Sequence, residues 1–324
     1  MRQSVPRVEW DLGVTSAPSL IPEEKTPDKI GTMSNVTPAV IAVLIAELVP
    51  AAIFGFAAER AARVIRKWPS ALRIAAPVVL VIPYAVLTAS QHIFQWKWFA
   101  LYSTLPVVMT WLEICAASAD PGQRGNWRDA FILLTLGLAV DLRWFDVAWP
   151  AGLRGLGNLL LVDAGLYAFL GIRRLNGTGF DFHLRWSDWK IGLRELLFFA
   201  PAVLLLGIAL GFIHPHANVP AVRKAALTWI GIFAFVAVPE ELFFRAWVQN
   251  LLERRVGRWP ALIIASVLFG LSHFNKRSTH FNWRYVLLAT IAGVFYGRAW
   301  SAERRVPAST ITHTCVDWLW SWWF

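Results

Sequence analysis

Ten apolar runs divide this chain from about residue 36 to its end, and no other feature limits its fold so strongly. They lie at about 36–58, 74–90, 98–118, 129–141, 156–172, 194–213, 226–252, 260–274, 285–300 and 307–323. A helix needs about 20 apolar residues to cross a bilayer. Inside hydrocarbon each backbone N–H and C=O must be bonded within the protein, which favours helices over open sheet. Several runs are shorter than a full span. The expectation is an all-α, polytopic transmembrane helical bundle with about 8–10 spans. Composition agrees: 56% of residues are hydrophobic, 16% are charged and the mean hydropathy is +0.49. Soluble domains sit near 45–50% apolar and about 25% charged.

The connections alternate in charge. One set carries Arg60, Arg63, Arg66 and Lys67, then Arg124 and Arg128, then Arg173, Arg174, Arg185 and Lys190, then Arg254, Arg255 and Arg258, then Arg304 and Arg305. The positive-inside rule makes this richer set cytoplasmic. The net charge of +10 is spread over these loops and forms no continuous patch, so anionic lipid explains it and no nucleic-acid partner is expected. Trp68, Trp96, Trp127, Trp149, Trp186, Trp259 and Trp283 stand at run ends, the placement of an interfacial aromatic belt. Cys115 and Cys315 make no CxxC pair and no disulfide framework.

Residues 1–34 read as a polar N-terminal tail without the pattern of a signal peptide. Residues 35–190 read as N-terminal transmembrane helices of unassigned role, and 191–324 as the working domain. The expected location is the cell (inner) membrane, as a multi-pass integral protein.

The chemistry-bearing residues are those that a spanning helix should not carry. An ionisable side chain at the centre of a span costs about 2.5–3.5 kcal/mol on insertion scales. The run 226–252 holds three, in Pro239-Glu-Glu-Leu-Phe-Phe-Arg245. Glu241 and Arg245 are four apart, share a helix face and can neutralise each other. Glu240 is turned about 100° from Glu241 and has no such local partner. Phe269 and His273 are again four apart, as are His313 and Asp317. Each piece alone also reads as packing: a buried ion pair, a satisfied histidine at a helix end, a structural His–Asp hydrogen bond. Together, on three hydrophobic segments, they are expensive as packing. His92, His183 and His280 read as interfacial residues, and His214 and His216 as a solvated turn.

The ordered set Glu240-Glu241…Arg245, Phe269…His273 and His313…Asp317 resembles the signature of the CAAX protease and bacteriocin-processing (CPBP, Abi) intramembrane proteases, a family that includes type II CAAX prenyl endopeptidases. The resemblance covers about residues 190–324. It implies an intramembrane endopeptidase acting on a membrane-associated protein or peptide. Glu240 and His273 would activate water, His313 and Asp317 would stabilise the oxyanion, and Glu241, Arg245 and Phe269 would support them. Asp317 stands where many members have Asn, and an ionised Asp only accepts hydrogen bonds. It therefore carries a proton, orients His313, or belongs to a metal site. Glu240, His273 and His313 are chemically reasonable zinc ligands with a fourth position for water, but no HExxH supports zinc, and the preferred reading requires no cofactor. If the runs were straight spans, His273 and His313 would be offset by roughly 10–15 Å along the membrane normal, so the helices must be staggered or broken.

Two other functions fit parts of the pattern. One is a non-catalytic immunity or scaffold protein of the same fold. The other is a transporter using the buried charges as an ion path, against which the lack of inverted repeats argues. The expected partners are the membrane-associated substrate and the lipid bilayer, with no oligomeric state assigned.

Overall fold

The computed structural model describes residues 37–150, 152–216, 219–276 and 280–324. The polar tail expected at 1–34 lies outside them. Among the described residues there is no strand, and each of the ten apolar runs becomes one helix. These are α1 (Pro38–Arg66), α2 (Ser70–Ser90), α3 (Trp96–Ala119), α4 (Trp127–Asp141), α5 (Gly155–Ile172), α6 (Trp186–Ala209), α7 (Val222–Val256), α8 (Arg258–Leu271), α9 (Trp283–Glu303) and α10 (Val306–Trp323). Six of them, α1, α2, α3, α5, α6 and α7, are long and apolar enough to cross a membrane, and the chain is a multi-pass membrane protein. The others are short, as in α4 and α8, or diluted by polar side chains, as in α9 and α10.

Local sequence sets the helix ends. Thr37 caps α1, its hydroxyl accepting from the Val40 N–H at 3.3 Å, and Pro38 fills a first-turn position that needs no donor. Asn126 and Asp129 form a reciprocal capping box at the start of α4. Between α7 and α8 stands Gly257 at φ +83°, a conformation open to glycine, so the chain reverses within one residue. Arg304 takes a left-handed φ of 51° between α9 and α10.

The richly basic loops meet at one end of the bundle and are knotted together. Arg173 binds Asp129 at 3.0 Å and Asp120 at 2.7 Å. Arg254 donates to the Gln123 carbonyl at 2.7 Å and to Asn176, and Arg255 donates to the Arg124 carbonyl at 3.1 Å. Arg305 binds Asp188 at 2.7 Å and Asp181 at 2.8 Å. The Val306 N–H donates to the Gly179 carbonyl at 2.8 Å. Gly179 sits at φ +68°, and a Cβ there would fall 1.9 Å from the Arg304 carbonyl, so the loop 173–185 can reach the start of α10 only with glycine at this position.

Two large hydrophobic clusters form the core, beside a small one of Ile191, Ala299 and Ala308. The larger draws on α1 to α5 and on Val238, Leu242, Ala246, Trp247 and Leu251 of α7. The smaller holds Phe199, Val203, Phe244, Phe269, Leu288 and Tyr296, from α6, α7, α8 and α9. Helix α7 therefore has a face in each. Trp247 stacks on Phe169 at 5.0 Å and lies so close to α5 that a Cβ on Gly165 would meet it at 2.5 Å.

Trp96, Trp127, Trp186 and Trp283 open their helices and are exposed, in keeping with a belt. Trp149 is a correction. It is buried, and its indole N–H donates to the Tyr102 hydroxyl at 2.7 Å, a core partner that its place at a run end did not suggest.

Candidate active site

Helix α7 is irregular where its charges lie. Two π-helical stretches, Phe233–Ala237 and Leu242–Gln249, bracket the single α-turn Val238–Glu241. Such bulges shift side chains out of the regular helical register and are frequent at functional sites. The two neighbouring glutamates share the α-turn between them and, about 100° apart around its axis, face different surroundings.

Glu241 is fully buried. One oxygen accepts from Arg245 Nε at 3.0 Å and the other meets His313 Nδ1 at 2.9 Å. Arg245 is buried beside it, with its guanidinium 5.3 Å from the centre of the Phe269 ring. The other two guanidinium nitrogens, Nη1 and Nη2, have no hydrogen-bond partner, which leaves Glu241 as the carboxylate that neutralises this arginine.

Glu240 is different. Its side chain is 26% exposed, and it lines a cavity of about 470 Å³ shared with Asp141, Asn158, Ser272, Asn275 and Lys276. Lys276 Nζ stands 3.8 Å from Oε1, and Oε2 accepts no hydrogen bond. Next to this chamber an apolar groove of about 760 Å³ runs between α4, α7 and α8, sharing Gly137, Asp141, Phe243 and Phe244 with it.

His313 is the junction. Nδ1 faces Glu241, while Nε2 lies 3.5 Å from Asp317 Oδ2 and 3.9 Å from Glu240 Oε2. An ionised Glu241, held by Arg245, only accepts, so Nδ1 carries the proton of that bond. Asp317 is the more open end of its pair, at 39% side-chain exposure.

His273 lies in the turn after α8. Its Nδ1 donates to the Phe269 carbonyl at 2.8 Å, which turns Nε2 away from that helix. Together with His313 and Asp317 it lines a second cavity of about 280 Å³, enclosed largely by apolar side chains of α6, α9 and α10. Among the described residues Glu240 and His273 make no direct ion pair or hydrogen bond. A shared aromatic shell holds the two imidazoles: Phe269 meets His273 at 4.9 Å and His313 at 5.7 Å, Tyr285 meets His273 at 4.9 Å, and Tyr296 stacks on His313. Helix α8 spans only 14 residues and ends before His273, and both imidazoles reach the Phe269 ring, so they are not held apart by the offset expected of straight spans.

All seven residues singled out in the sequence therefore gather around one junction of α7, α8 and α10. Lys276, Tyr285 and Tyr296 escaped sequence reasoning, because a lysine in a loop and tyrosines in an apolar run carry no motif. Among the described residues no three His, Cys, Asp or Glu side chains, Glu240, His273 and His313 included, converge closely enough to hold a metal as they stand.

Residues 222–319 match the family model described as type II CAAX prenyl endopeptidase Rce1-like. The match starts at the first residue of α7 and ends within α10, enclosing all three motifs, and it bears out the resemblance read from them. No curated protein and no solved structure matches the chain.

Proposed function

We propose that this protein is an intramembrane endopeptidase that hydrolyses a peptide bond of a membrane-associated protein or peptide, with Glu240 as general base. One observation carries the reading: of two adjacent buried-helix carboxylates, one is locked in an ion pair and the other opens into a chamber with an unpartnered oxygen. A structural knot would use both.

Hydrolysis then runs as follows. A water held between Glu240 and His273 gives its proton to Glu240 as its oxygen attacks the carbonyl carbon. The tetrahedral oxyanion forms beside His313 Nε2. This nitrogen faces the carboxylates of Asp317 and Glu240, an arrangement that favours an N–H at Nε2, the donor an oxyanion needs. Asp317 orients that donor and does not itself donate, which removes the difficulty of an aspartate at this position. Glu240 returns its proton to the leaving amine as the C–N bond breaks. Lys276 stands beside the base, its Nζ 3.8 Å from Oε1, where its charge faces the negative charge that passes through the site. No step runs through a metal.

The test compares peptide termini in membranes from cells making the wild type and Glu240→Gln at matched levels. New termini seen only with the wild type are expected. Identical termini under conditions where the protein acts would favour a non-catalytic scaffold.

A further inference from the structure

Away from the junction of Glu240 and His313, the N-terminal helices hold a second pair of buried acids. Glu47 of α1 and Asp163 of α5 are 2% and 3% exposed and line one cavity of about 330 Å³. Neither oxygen of Glu47 has a hydrogen-bond partner. No Lys, Arg or His lines the cavity. A buried carboxylate without a partner is costly, and two acids in one apolar space are relieved in one of two ways, by holding their protons or by a positive charge from outside the chain.

The rest of the wall says what kind of charge. Leu48, Leu159, Val162 and Leu166 supply an aliphatic surface, and Phe56, Phe180, Phe182 and Phe233 supply rings. Phe182 packs edge-on against Phe56 at 5.5 Å and Phe180 at 4.9 Å. Ring faces attract cations, organic ammonium ions among them. A hard metal ion wants six or more oxygens, which two carboxylates among apolar side chains do not provide. The volume falls within the range of small-molecule pockets, about 300–1,000 Å³.

We propose that Glu47 and Asp163 bind an organic ammonium ion with a short apolar tail, its N–H groups on the two carboxylates and its tail against the aliphatic and aromatic wall. Phe233 and Pro239 of α7 form one side of the cavity, so the occupant packs against the segment that leads directly into Glu240. The site does not depend on the hydrolytic reading.

The test uses the full chain in detergent and n-hexylammonium chloride as probe, with n-hexanol and potassium chloride as controls, read by thermal unfolding. A saturable rise in Tm with hexylammonium, and none with either control, is expected. Glu47→Gln and Asp163→Asn are each expected to weaken the apparent Kd by about tenfold or more, the worth of one charge-assisted hydrogen bond. An equal rise with hexanol would reduce the site to an apolar void, and an equal rise with potassium would make it an inorganic cation site. No rise with hexylammonium, or an unchanged Kd in well-folded variants, would overturn the proposal. The wild-type comparison decides the matter even if a variant fails to fold.

Discussion

Tyr296 lies face to face on His313, the ring centroids 4.6 Å apart and the planes 16° from parallel. Tyr296 is buried in the smaller core, and Phe269 meets the same imidazole edge-on, so His313 is held on two sides by rings and at Nδ1 by Glu241. An imidazole fixed in this way cannot swing its Nε2 out of the space between Asp317 and Glu240. Preorganised donors of this kind are worth more than mobile ones because nothing has to reorganise during reaction.

Tyr296→Ala is therefore expected to lower kcat with a smaller effect on KM, because the substrate-binding walls remain while the donor loosens. It also leaves a hole in the core, and truncating a packed aromatic costs about 3–5 kcal/mol. Tyr296→Phe retains the stack and should retain most activity. Peptide cleavage by the two variants, beside their thermal unfolding, checks this. Wild-type kcat in a folded Tyr296→Ala protein would show that the stack does not position His313.

The two glutamates should separate in their mutant behaviour. Glu240→Gln is expected to abolish cleavage and leave Tm near the wild type, since this side chain is partly exposed and its ionic contacts, Lys276 at 3.8 Å and His313 at 3.9 Å, are long. Glu241→Gln leaves Arg245 buried without its counter-charge. Removing one member of a buried pair costs about 3–5 kcal/mol, so a large fall in Tm or in folded yield is expected. Equal effects on stability from both substitutions would contradict the division of roles.

Much of this site could be read from spacing alone. Glu241–Arg245, Phe269–His273 and His313–Asp317 are each four residues apart, and each pair does meet in the structure, because one helix turn fixes which residues share a face. What spacing could not supply was the contact between pairs. Glu241 and His313 are 72 residues apart, and their bond depends on how α7 packs against α10. The π stretches of α7 were equally hidden, since an apolar pattern is blind to which carbonyl each N–H chooses. The basic loops read as a cytoplasmic charge set, whereas many of those arginines are bonded to carbonyls and acids of neighbouring loops. Trp149 looked interfacial by position and is a core residue, for its partner Tyr102 lies 47 residues away.

Chelation offers a separate check on mechanism. The proposed mechanism uses no metal, so prolonged treatment with EDTA or 1,10-phenanthroline is expected to leave cleavage unchanged. Loss of activity that returns on adding zinc would reverse this reading and show that Glu240, His273 and His313 rearrange around the ion.

The knotted basic end predicts a pH dependence away from the site. Burial alone would raise the Asp181 carboxyl. Hydrogen bonds from the Arg305 guanidinium and from the backbone and ring of His183 outweigh it, so this group is held at about 2, below its ordinary 3.8. A depressed carboxylate adds stability above its unfolded pKa and loses it as pH falls through the folded value. The Tm gap between wild type and Asp181→Asn should thus be fully open at neutral pH, begin to narrow below about pH 4, and close toward pH 2. Asp181 ties the loop 173–185 to Arg305, the residue just before α10, so losing the contact loosens the start of the helix that carries His313 and Asp317. A measurable fall in kcat at neutral pH should accompany the lower Tm. A Tm gap that stayed constant from pH 7 to pH 2 would show that the Asp181 charge contributes nothing and that the substitution acts through packing.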